Sequence, residues 1–145
     1  MRDLLLKLVA SDRRHLDGAL LFLRLFAGCM MLTHGWAKLS SFGNLSETFP
    51  DPLGVSSTFS LILILFAEVG WPLFLIFGLM TRLAVLPLIF GMMTAFFVIH
   101  SQDPFAVKEM ALLYAGMYVV LLWAGAGKYA MDEVIRRNLT RRANP

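Results

Sequence analysis

Residues Leu20 to Leu39, LLFLRLFAGCMMLTHGWAKL, form an apolar run that includes Arg24, His34 and Lys38. About 20 such residues cross the hydrocarbon core of a bilayer, so the run is long enough to span one. A cation facing lipid costs several kcal/mol unless it snorkels, pairs or turns toward a polar interior. At roughly 100° per residue, His34 and Lys38 fall within about 120° of Arg24, on the side that also carries Gly28 and Gly35. One face of this helix is therefore polar and open to close approach. The remaining chain must supply what that face packs against.

The whole chain fits a membrane setting. Of its 145 residues 58% are hydrophobic, with a mean hydropathy of +0.69, whereas soluble domains hold roughly 45 to 50% apolar residues. Four apolar segments are predicted as transmembrane helices, at about 19–39, 57–80, 82–100 and 108–125. Short connections favour antiparallel neighbours, so the expected fold is all-α: an up-down four-helix bundle in the membrane, one domain over residues 1–145. Amphipathic surface helices are expected at both ends. The first carries Leu4, Leu5, Leu8 and Val9, interrupted by Lys7, which speaks against a signal peptide. The second carries Met131, Val134, Ile135 and Leu139, with Asp132 and Glu133 in its first turn.

Charge is segregated. Arg2, Lys7, Arg13 and Arg14 precede the first span, Lys128, Arg136, Arg137, Arg141 and Arg142 follow the last, and Arg82 sits in the middle turn. The connection Ser40 to Ser56 holds Pro50, Pro52, Glu47 and Asp51 but no Lys or Arg. The positive-inside rule then places both termini and the Gly78 to Arg82 turn in the cytoplasm. The net charge of +3 resides in basic tails that face lipid headgroups, and nucleic acid is not an expected partner. Cys29, the sole cysteine, excludes an internal disulfide. The methionines Met30, Met31, Met92 and Met93 lack His or Cys at ligand spacing, so no metal is expected.

Glu68 lies near the middle of the second segment, where an unpaired carboxylate is costly. Counting helical rise from the basic side puts it level with Met31, one turn below His34. His34 is the expected partner, with Arg24 as the second candidate. Lys38, Glu109 and His100 end or begin their segments at similar depth, and a Lys38 to Glu109 ion pair is expected there. His100 and Arg82 are read as structural, through helix-end contacts or snorkelling. Glu68 and His34 are the candidate proton-handling pair, and Arg24, Lys38, Glu109 and Tyr114 the candidate ligand-binding set. Such a pocket suits an amphipathic ring bearing oxygen atoms.

Several strings, in order, resemble the DoxX family of small membrane proteins: Arg24-x-x-x-Gly28, His34-Gly35-x-x-Lys38-Leu39, Ala67-Glu68-x-Gly70, Gly78-Leu79-x-Thr81-Arg82, Glu109-x-x-Leu112-Leu113-Tyr114 and Gly125-x-Gly127-Lys128-Tyr129-x-x-Asp132. The chain departs from that pattern at Trp71-Pro72 and at Ala126, and the first departure bears on how closely the second helix packs below Glu68. The resemblance implies a four-helix inner-membrane protein, some of whose relatives are similar to a subunit of a thiosulfate:quinone oxidoreductase or to membrane partners of detoxifying enzymes. Three functions follow as expectations. One is a redox subunit binding quinone or quinol and taking electrons from a partner enzyme. The second is a scaffold for partner proteins, and the third a small-solute carrier, which a homo-oligomer would favour.

Overall fold

The computed structural model describes residues 13–143, so the expected surface helix around Leu4 to Val9 lies outside the described residues. The first span is one long helix, α1 (Arg13–Ser40), followed by a single turn, α2 (Phe42–Leu45). The second span starts as α3 (Ser57–Leu65), widens into a π-helical turn at Phe66–Gly70 and continues as α4 (Trp71–Phe77). The third runs through α5 (Thr81–Thr94) into another π-helical turn, Ala95–Ile99. The fourth is α6 (Phe105–Ala124), and α7 (Met131–Ala143) follows a short connection. No strand occurs among the described residues.

The spans His15–Ser40, Ser57–Phe77, Thr81–Ile99 and Phe105–Ala124 bear out the four expected segments, with shifted ends. Local chemistry accounts for the boundaries. The Ser56 hydroxyl accepts the Phe59 amide and caps α3. Gly78, at φ +66°, turns left-handed and stops α4 three residues before the expected end, while the Leu79 amide donates to Phe74 O at 2.9 Å. Pro104 fills the position before α6, where its missing N–H is not needed.

Each span packs on the next, and the fourth returns to the first, closing an up-down bundle. Its core is thin: Ala27, Met31, Leu75, Val85, Leu88 and Tyr118 are among the buried side chains. Phe22, Trp36, Phe90 and Trp123 point outward and are 62–78% exposed. An apolar exterior of this extent is stable only against hydrocarbon.

The glycines set the spacing of α1 against the second span. A Cβ on Gly28 would lie 2.6 Å from Ile76 Cγ1 and 3.3 Å from the Pro72 carbonyl oxygen, and one on Gly35 would lie 2.8 Å from the Glu68 carbonyl oxygen. The helices therefore approach at near backbone contact, as small residues allow in membranes. Trp71-Pro72 does not prevent this, although Pro72, just after the π-helical turn of a continuous helix, removes one backbone donor. The same contacts correct the register: Glu68 lies level with Gly35, about one turn beyond Met31. The reason is that Gly78 packs beside Arg24, so α1 extends past that turn instead of starting level with it.

Candidate functional site

Because Gly35 lets α1 touch the π-helical turn at Glu68, the side chain of Lys38, about one helical turn further on, reaches the carboxylate. Lys38 Nζ donates to Glu68 Oε2 at 2.5 Å. Glu68 is 4% exposed, and the Lys38 side chain keeps 27% of its surface accessible. The expected His34 to Glu68 and Lys38 to Glu109 pairs do not form; the one-turn change of register brings Lys38, not His34, over the carboxylate. His34 instead meets the edge of the Tyr114 ring at 5.7 Å between centroids, and Tyr114 stacks on Tyr118 at 6.1 Å. The two tyrosines continue from His34 into the interior of the bundle, where Tyr114 is 6% and Tyr118 0% exposed. The Tyr118 hydroxyl is buried and has no partner among the described residues.

On its other side the ion pair faces a cavity of about 470 Å³ between the second and third spans. Phe66, Ala67 and Trp71 line one wall and Phe90, Gly91 and Ala95 the other, with Pro50 and Leu53 as a roof. Both π-helical turns contribute to it. A π turn inserts an extra residue and redirects the side chains beside it, which is why such turns recur at functional sites. His100 reaches the rim, where Nδ1 pairs with Asp103 Oδ2 at 2.7 Å. The roof is tied down by Asp51, whose carboxylate accepts the Ser60 hydroxyl at 2.7 Å and the amides of Ser56 and Val55 at 2.8 and 3.0 Å. The Ser60 hydroxyl first, then the Ser56 amide, hold its carboxyl below the usual range.

The other expected members lie elsewhere. Glu109 is exposed, pairs with no cation among the described residues and does not line the cavity. Arg24 is 1% exposed at the opposite end of the bundle, where Nη2 donates to the Tyr129 carbonyl oxygen at 2.8 Å. Its Nη1 lies so near Gly78 that a Cβ there would come within 1.6 Å. Asp132 completes this cluster: its carboxylate accepts the amides of Met80 and Thr81 at 2.6 and 2.9 Å, and its own amide donates to Gly78 O. Arg82 Nη2 donates to Trp123 O at 3.4 Å.

Sequence reasoning missed Asp132 as a tie between distant stretches and Asp51 as the latch of its own loop. Asp132 reads as the first-turn acid of its own helix, yet it caps α5. Asp51 offers a signal in the serines that follow it, since Asp and Ser favour such local loops.

The DoxX family model matches residues 19–101, more than half of the chain. The chain belongs to the DoxX family. The matched segment of this DoxX protein contains Lys38, Glu68 and every residue lining the cavity. The chain is 27% identical to the inner membrane protein YqjF of Escherichia coli over 126 residues, 83% of this chain and 95% of that one. It is similar to two uncharacterized proteins of Haemophilus influenzae. One is 27% identical over 82% of this chain and 84% of its own length, the other 32% over 79% and 88%. No solved structure matches. The relative in E. coli and the four apolar spans make this DoxX protein a multi-pass inner-membrane protein.

Proposed function

We propose that this protein is the membrane subunit of a redox system and binds a quinone or quinol in the cavity between the second and third spans. The observation that carries the reading is an apolar chamber of about 470 Å³ with a Lys38–Glu68 ion pair at its wall. Small-molecule sites typically measure about 300 to 1,000 Å³ and combine apolar walls with few polar groups. A ring oxygen entering the chamber accepts a hydrogen bond from Lys38, and Glu68 exchanges the proton that accompanies ring reduction or oxidation. Tyr114, with His34 at its edge, orders the groups behind Glu68. Arg24 and Glu109 take no part in this version of the site.

In this reading a partner enzyme supplies or accepts the electrons, docking on the connections 40–56 and 101–107. The basic excess at the opposite end orients both termini toward the cytoplasm. The test is purification in mild detergent with mass spectrometry of extracted lipid. Quinone should accompany the wild type and be reduced about tenfold or more in a folded Glu68→Gln variant. Equal recovery from both would sink the reading. A scaffold without catalysis is the second reading, favoured by Arg24 and Asp132, whose polar groups serve to hold the bundle. Cross-linking in membranes that recovers a stable partner without quinone supports it.

A further inference from the structure

The end of the bundle opposite the cavity has an open groove of about 710 Å³ between the start of α5, the turn Gly125 to Lys128 and the beginning of α7. Its carboxylates are engaged. Asp17 accepts the Lys128 amide at 2.9 Å and Asp132 the amides of Met80 and Thr81. Glu133 accepts from Arg136 and Arg137, which push its carboxyl down to about 2. Two cations of the lining remain. Among the described residues neither Arg82 nor Lys128 pairs with a carboxylate. Arg82 lies over the glycine turn, since a Cβ on Gly125 would sit 3.7 Å from its Nε and Nη2.

Beside the groove, α7 exposes Met131, Val134, Ile135 and Leu139. An amphipathic helix of this kind rests at the boundary of headgroups and acyl chains, which puts the groove at headgroup depth. The lining balances three acids with three cations, but Arg82 and Lys128 are the cations left to meet an anionic headgroup at that depth, and a guanidinium matches the geometry of a phosphodiester.

We propose that the groove binds the phosphate of an anionic phospholipid between Arg82 and Lys128, with the acyl chains against the apolar face of α7. The site is independent of the quinone reading.

The test titrates the delipidated full chain in detergent with phosphatidylglycerol or phosphatidylcholine, followed by native mass spectrometry. Wild type should prefer phosphatidylglycerol by about tenfold or more. Each of Arg82→Gln and Lys128→Gln should lose about threefold in that affinity, and the double variant about tenfold, down to the level of phosphatidylcholine. Both side chains are exposed, so the variants should unfold at the wild-type temperature; if the double variant does not, the single ones decide. Equal phosphatidylglycerol binding by wild type and variants overturns the proposal. So does equal affinity for the two lipids, or displacement of phosphatidylglycerol by millimolar inorganic phosphate, which marks a small-anion site.

Discussion

At the end where α7 joins the bundle, Arg24, Gly78, Tyr129 and Asp132 come from three stretches of chain and close on one another. At the other end, Lys38 and Glu68 meet at the wall of a chamber that stays open. The partners differ in kind. Asp132 and Arg24 bond backbone amides and a carbonyl, which cannot leave without unwinding a helix end or a turn. Lys38 and Glu68 bond each other through flexible side chains, which can exchange for a ligand atom. Buried polar groups in one small bundle therefore serve two ends, closure in the first case and exchange in the second.

The sharpest way to break this contrast is Gly78→Ala. A Cβ there meets Arg24 Nη1 and the Ala130 Cβ at a left-handed backbone position, so the variant should lose more than about 3 kcal/mol in detergent unfolding or fail to fold. Wild-type stability would mean that the terminal end is not tightly closed. Gly35→Ala comes next, at about 2 kcal/mol, because its Cβ meets Val69 Cγ2 and also the backbone of Glu68, which cannot swing aside. It should also separate Lys38 from Glu68, seen as a changed amine reactivity of Lys38; unchanged reactivity would detach the ion pair from the helix spacing.

Glu68→Gln should cost only about 1 kcal/mol, since the partly accessible Lys38 can turn toward water, well below the usual loss for breaking a fully buried pair. A loss as large as that of Gly78→Ala would make both ends structural. The smallest effect concerns the roof. Asp51 has a lowered folded-state pKa, so its contribution is complete above the ordinary carboxylate value and disappears as pH falls through the lowered one. Amide exchange across residues 49–56 should stay slow at neutral and mildly acidic pH and rise only below the ordinary carboxylate range. Asp51→Asn should show fast exchange at neutral pH as well, and protection unaltered by the substitution would remove the latch.

Much of this was legible in the chain because hydropathy and small residues act locally. Arg24, Gly28, Gly35 and Lys38 announce a polar, closely packed helix face, and Glu68 announces an inward carboxylate. Which of these meet was not legible. An offset of one turn between two antiparallel helices exchanges His34 for Lys38 as the partner of Glu68, and that offset depends on Gly78 packing beside Arg24. The π-helical turns at Phe66–Gly70 and Ala95–Ile99 leave no clear periodic signature, yet they help to shape the chamber.

Composition and segment length by themselves determined a four-span helical membrane protein, because the bilayer imposes a length and an apolar surface on whatever crosses it. Tertiary structure alone decided that Arg24 and Glu68 belong to different ends, that Glu109 lies outside the site and that Asp132 caps a helix other than its own. Those outcomes depend on contacts between distant stretches, whose register and depth are set by side-chain packing across the bundle, beyond the reach of any periodicity within a single segment.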